Sequence, residues 1–168
     1  MKNKHLVILV LAVLTVIGCK TKAVEFKSAE LKKNPYSTSA SLIGHPAQGV
    51  LHLRGVSDEM PDRESAIKDA HKKAIQHMFY MGFPDADILD MKNPMIRKGR
   101  GIETEHKAFF DNFWDSGYQQ YIIGIDEKYY ACNLTAKNCV VAVSNFKINY
   151  NILRRDLERN KILNRIGF

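Results

Sequence analysis

Three cysteines, six histidines and eighteen carboxylates are the side chains of this 168-residue chain that could carry catalytic or metal chemistry, and their spacing excludes most of it. His45, His52, His71, His77 and His106 are scattered. His71 and His77 lie six positions apart, off by most of a turn from the i, i+4 placement that puts two imidazoles on one helical face for zinc. The nearest carboxylate group is Asp58, Glu59 and Asp62. Asp85, Asp87 and Asp90 have the alternation of a cation loop but lack its glycine and its closing glutamate, so they read as an acidic helix start. There is neither a Gly-x-Ser-x-Gly elbow nor a phosphate-cradling glycine loop. The expectation is a protein that is not an enzyme, with no catalytic residue, no metal ligand and no cofactor.

Cysteine chemistry then depends on compartment. Cys132 and Cys139 flank Asn133 to Asn138, a stretch with turn-forming asparagines at both ends between two β-rich runs. In an oxidising compartment an even pair suggests a disulfide closing a hairpin loop, at most about 2–3 kcal/mol by the chain-entropy account. Free thiols are the alternative. A redox or metal pair would need CxxC spacing or further ligands, and neither is present.

Compartment is written at the amino terminus. Lys2, Lys4 and His5 precede an apolar run from Leu6 to Ile17 interrupted only by Thr15, a basic region followed by a short hydrophobic one. About a dozen residues fall short of the roughly 20 that a membrane-spanning helix requires. The run ends Val16-Ile17-Gly18-Cys19 and continues into the polar Lys20-Thr21-Lys22. This end resembles the lipobox of bacterial lipoproteins, in which a small residue precedes the cysteine that is lipidated and becomes the first mature residue. The resemblance implies a signal peptide over residues 1–18, a lipid membrane anchor on Cys19 and residence in the cell envelope. An ordinary secretory signal is the alternative. Lys20 replaces the aspartate that retains lipoproteins at the inner membrane in the best-known systems, which implies the outer membrane over the inner. Several acyl chains, each buried CH₂ contributing roughly 0.8 kcal/mol, would hold the protein where a single chain anchors only marginally.

Lys2 and Lys4 account for two of the formal +7 charge. The remaining excess is concentrated at Lys20 to Lys33 and at Arg154, Arg155, Arg159, Lys161 and Arg165, without the interleaved aromatics of a nucleic-acid stacking surface. Nucleic acid is not expected as a partner. The membrane, through Cys19, and another envelope protein are.

The elements follow from pattern. Residues 19–48 have no sustained period and carry the breakers Asn34-Pro35 and Gly44-His45-Pro46, so they read as a lipidated tether. Residues 49–168 read as one globular domain. Val50 to Val56 alternates as a half-buried strand, with Leu51 and Leu53 on one face. Asp62 is placed to cap a helix carrying Ala66, Ile67, Ala70, Ala74, Ile75 and Met78, which Gly82 and Pro84 end. Phe83 to Gly101 reads as an irregular insert with a basic cluster at Arg97, Lys98 and Arg100. Thr104 is placed to cap a short helix with Phe109, Phe110, Phe113 and Trp114, an aromatic face that belongs either to the core or to an exposed partner-binding patch. Tyr118 to Asp126 alternates with Tyr121, Ile123 and Ile125 on one side; Tyr129 to Cys132 and Cys139 to Ile148 read as further strands. Asn151 is placed to cap a terminal helix with Leu153 and Leu157. The fold class expected is α+β, a small mostly antiparallel sheet with a long helix on one face.

The order Gly49-Val50 through Gly55, then Ala66-Ile67-Lys68-Asp69-Ala70-His71-Lys72-Lys73-Ala74 ending at Gly82, resembles the small domain of LPP-type bacterial lipoproteins and the N-terminal domain of the flagellar protein FlgT. The chain departs from that pattern in its bulky Met78, Phe79 and Tyr80 and in the insert after Gly82. The resemblance implies a structural or protein-binding envelope module. Two other readings stand beside it: a periplasmic inhibitor or immunity lipoprotein using Arg97 to Arg100 or the aromatic face, and a small-ligand or glycan-binding lipoprotein.

Overall fold

The computed structural model of this chain describes residues 40–132 and 140–164. Cys19, the side chain of Cys132, Cys139, the proposed disulfide between the last two and most of the tether lie outside the described residues.

Four antiparallel strands form one sheet in the order β1-β2-β4-β3: β1 Ala40–Ala47, β2 Val50–Val56, β3 Ile122–Cys132 and β4 Val140–Asn149. The helical elements follow the first hairpin and the last strand: α1 Arg63–Tyr80, α2 Leu89–Lys92, α3 Gly101–Glu105, α4 Lys107–Asp115, a 3₁₀ turn Gly117–Tyr121, and α5 Tyr150–Arg159. The architecture is α+β, an open antiparallel sheet with helices packed on it.

Register sorts the side chains. Leu53 pairs with Phe146 and Gly55 with Ser144, placing Leu51, Leu53, Ala142, Ser144, Phe146 and Ile148 on the buried inner face. Arg54 pairs with Asn145 and His52 with Lys147 on the outer face. Burial of each large apolar side chain contributes roughly 1.5–3 kcal/mol relative to exposure, so Leu53, Phe146 and Ile148 each stabilise the fold from this face.

Helix α1 lies across that face because of its ends and its small residues. The Asp62 carboxylate accepts from the Ser65 backbone N–H at 2.8 Å and from the Ser65 hydroxyl at 2.8 Å, closing the first turn. Met81 and Gly82 both donate backbone N–H groups to the His77 carbonyl, and Gly82 turns the chain out at φ +74°. Ala66, Ala70 and Ala74 are completely buried. Gly55 lies beneath them so closely that a Cβ there would sit 2.0 Å from the Ala70 carbonyl oxygen. One polar pair crosses the interface, His71 Nε2 with Ser144 Oγ at 2.9 Å, its ring against Phe146.

Several expectations are corrected. Folded structure begins before Gly49: β1 occupies the end of the expected tether, with Ala40 buried against Gly55 and Leu42 opposite Leu53. Its Gly44 and Pro46 read as breakers, yet β1 is an edge strand, where proline is tolerated and bulges after Leu42 and Gly44 absorb the irregularity. The insert after Gly82 is not a free loop. Phe83, Ala86, Met91 and Ile96 are buried, and the N–H groups of Met95 and Ile96 donate to the carbonyls of Met78 and Phe79. Thr104 lies inside α3 rather than capping the aromatic helix, which starts after a break at His106.

The stretch expected as a strand from Tyr118 begins instead as the 3₁₀ turn. That geometry brings Tyr118 and Tyr121 onto one side, and both are buried. Register shifts between Ile122 and Gly124 and between Ile125 and Glu127 break the expected alternation and leave Ile123 exposed. The terminal helix is capped by Asn149, whose side chain accepts from the Ile152 N–H at 3.1 Å, and not by Asn151. Asn151 packs against Gly49, which turns between β1 and β2 at φ +75°.

Gly55→Ala is expected to destabilise the fold by about 3 kcal/mol in urea denaturation, the scale of an overpacked core. Gly124→Ala, whose added methyl meets nothing within 4 Å, should stay within about 0.5 kcal/mol of the parent.

Candidate functional site

The basic cluster of the insert is divided by the fold. Ile96 is buried, and its N–H is fixed to the Phe79 carbonyl at 2.8 Å, so the following Arg97 and Lys98 are carried outward. Both are exposed, and both line a cleft of about 370 Å³. Its other wall is α5 and the residues after it: Tyr150, Arg154, Ile162 and Leu163. Lys161, at φ +60°, reverses the chain past the end of α5 and brings the buried Ile162 back to the cleft. A volume of this size lies near the lower end of the roughly 300–1,000 Å³ of small-molecule sites and also suits a peptide side chain or terminus.

Electrostatically the cleft is cationic with an apolar floor. Arg154 is held in place, its Nε donating to Glu158 at 2.9 Å and its Nη1 to the Tyr150 hydroxyl at 3.1 Å. Lys98 lies 3.7 Å from Glu105, but both are mostly exposed, and such a pair contributes little. Arg97 makes no ion pair among the described residues. Asp90 is the lining carboxylate, and Met95 adds apolar surface. Arg97 and Lys98 can therefore bind a carboxylate or phosphate with charge-assisted hydrogen bonds. The described lining offers cations and apolar surface, with which the cleft can hold an anion.

Arg100 is not part of this cleft. Its guanidinium stands 5.6 Å from the centroid of the Tyr80 ring, whose hydroxyl donates to Glu103 Oε1 at 2.5 Å; Trp114 Nε1 donates to the same oxygen at 3.1 Å. Burial first, and then the Glu103 carboxylate, push the Tyr80 hydroxyl far above its ordinary value of 10.0, so it stays a donor. Tyr121 is raised in the same way by burial and by Asp156, to which it donates at 2.9 Å.

The aromatic face of α4 is core and not a partner-binding patch. Phe113, like Phe110, is 2 % exposed, and Phe109 and Trp114 pack against the same cluster. Phe113 has ring neighbours in Phe79, Phe109, Trp114, Tyr118 and Tyr121. An aromatic run placed between a long helix and a sheet edge finds more apolar surface inside than outside.

The remaining candidates separate in space. His52 Nε2 lies 3.1 Å from Asp126, which also accepts from Lys147 at 3.0 Å, on the outer face of the sheet and not in the cleft. His71 and Ser144 pair a base with a hydroxyl inside the helix–sheet interface, 4 % and 0 % exposed and away from the cleft. Among the described residues no group of three or more His, Cys, Asp or Glu is arranged to hold a metal ion, and no helix is long and apolar enough to cross a membrane. Sequence reading missed Tyr150 and Arg154. Their i, i+4 spacing could have joined them to each other, but not to Arg97.

Glu103→Ala is expected to cost about 2 kcal/mol in urea denaturation, because the Tyr80 and Trp114 donors both lose their acceptor. The emission of Trp114, the single tryptophan, should shift with it. No family model, curated protein or solved structure matches this chain, so the role of the cleft has to be read from its own chemistry.

Proposed function

We propose that this chain is a lipid-anchored protein of the bacterial cell envelope, attached through Cys19 to the outer membrane in preference to the inner, whose globular domain is a non-enzymatic binding module. The observation that carries the binding half of this reading is the cationic cleft, in which, among the described residues, Arg97 has no ion-pair partner and Lys98 only an exposed, weak one. Unsatisfied cations over an apolar floor suit an acidic segment of another envelope protein, with the carboxylate at Arg97 and Lys98 and an adjoining apolar side chain against Met95, Ile162 and Leu163. Rim charges of this kind steer and orient a partner more than they bind it tightly, as expected of an assembly contact within one membrane system. The address rests on the basic start, the short apolar run and the Gly18-Cys19 end.

Each half has its own test. Cys19→Ala should move the protein out of the membrane fraction, and unchanged fractionation would refute the anchor. Arg97→Glu combined with Lys98→Glu should reduce partner capture by mild cross-linking in the native envelope on the order of tenfold while leaving the urea midpoint unchanged. Equal capture by the variant, or none by the parent protein, would remove the cleft from the interaction.

A further inference from the structure

The outward side of α5 carries charge that the fold does not use. Leu153 and Leu157 turn one side of the helix into the core and are fully buried. The opposite side presents Ile152, Arg155 and Arg159, at i, i+3 and i+7, with Lys161 just past the end of the helix. All four are exposed, Ile152 at 43 %. Arg155 donates to the Asn151 carbonyl at 3.3 Å and, like Lys161, meets no carboxylate among the described residues. Arg159 donates to Asp156 at 2.7 Å, but its side chain is 74 % exposed, and that carboxylate also accepts from Tyr121. None of the four lines the cationic cleft, whose wall from this helix is Tyr150 and Arg154.

Charge and shape together choose the occupant. The outward side of a surface helix is convex, and it offers a protein partner no pocket in which an anchoring side chain could be desolvated. An anionic bilayer surface needs none. Headgroup phosphates surround the cations, the arginine stems lie along the interface, and an apolar side chain between them enters the headgroup boundary. The Asn151 N–H donates to the Gly49 carbonyl at 3.3 Å, so α5 starts at the turn between β1 and β2, the end of β1 away from Ala40. About 20 residues separate Cys19 from Ala40, at most about 70 Å of chain, against roughly 27 Å for the length of β1. That reach lets α5 lie on the same membrane in which the lipid of Cys19 would sit.

We infer that the outward side of α5 docks on the anionic phospholipid headgroups of a bilayer, with Arg155, Arg159 and Lys161 on the phosphates and Ile152 at the headgroup boundary. The contact rests on the anchor reading for its high local concentration of lipid, and it is independent of what the cationic cleft binds. A second point of attachment fixes how the anchored domain is turned toward the membrane.

The test is a chemical footprint of the full-length protein in vesicles, with hydroxyphenylglyoxal for arginine and acetic anhydride for lysine, and modification rates read by mass spectrometry. In vesicles of phosphatidylcholine with phosphatidylglycerol, the rates at Arg155, Arg159 and Lys161 should fall about tenfold below those in phosphatidylcholine alone. They should recover at about 1 M salt, where the screening length is about 3 Å. Lys107, 73 % exposed on α4, is the reference and should not change. Arg155→Gln combined with Arg159→Gln should abolish the protection of Lys161, and Ile152→Glu should weaken that of both arginines, each with an unchanged urea midpoint because the positions are exposed. Equal rates in the two kinds of vesicle, slowing that Lys107 shares, or protection of Lys161 that survives the double variant overturns the proposal. So does protection in isolated envelopes that the anionic vesicles do not reproduce, which would make the occupant a protein. Failure of the anchor is read separately, as protein that does not sediment with phosphatidylcholine vesicles. The same footprint on that protein mixed with anionic vesicles then supports the docking by protection and overturns it by its absence.

Discussion

The contact on which the rest of the domain depends is that of α1 with β2 at Gly55, where backbone meets backbone with no side chain between. Helices packed on sheets are ordinarily separated by the side chains of both. Here Ala66, Ala70 and Ala74 on one side and Gly55 on the other bring the two elements close, and the larger residues of α1 then reach different targets. Phe79, beyond the alanine stripe, packs against Phe113 and Trp114, and the carbonyls of Met78 and Phe79 accept from Met95 and Ile96. The chain between Phe83 and Tyr121 thus covers this end of the helix. The depth of the helix over the sheet therefore sets how much aromatic surface the later elements must enclose.

That middle segment is best understood as a lid on the C-terminal half of α1. Its anchors are backbone hydrogen bonds to Met78 and Phe79 and the buried side chains Phe83, Met91, Ile96 and Ile102. Glu103 ties the lid to the helix through Tyr80 and to the aromatic helix through Trp114, so one carboxylate joins three elements. Tyr121 and Asp156 repeat the arrangement between the 3₁₀ turn and α5. Because these junctions are made by residues adjacent to the exposed Arg97 and Lys98 and to the half-buried Arg154, the cationic cleft stands on a fixed frame.

The sequence announces those parts of the fold whose signals are local. Asp62 with Ser65, and Gly82 after a periodic run, mark both ends of α1 because a cap and its helix are neighbours in the chain. Val50 to Val56 alternates because only one face of the sheet is covered. Where the cause is distant, the signal fails. Ala40 to Ala47 has turn-like composition, and only pairing with β2 makes it a strand. Tyr121 fits an alternating pattern with Ile123 and Ile125 and a three-residue period with Tyr118 equally well, and the position of the aromatic core decides between them. For the candidate site, the charge cluster at Arg97 and Lys98 is visible from composition alone. Its opposite wall at Tyr150 and Arg154 is not, since nothing in either segment specifies the other.

The pairing of Ala40 with Gly55 has a mechanical meaning. Ala40 lies opposite Gly55, where α1 and β2 approach backbone to backbone, and is itself 1 % exposed. A pull on β1 from its Ala40 end therefore loads a tightly packed residue before the irregular half around Gly44 and Pro46 at the other end of the strand.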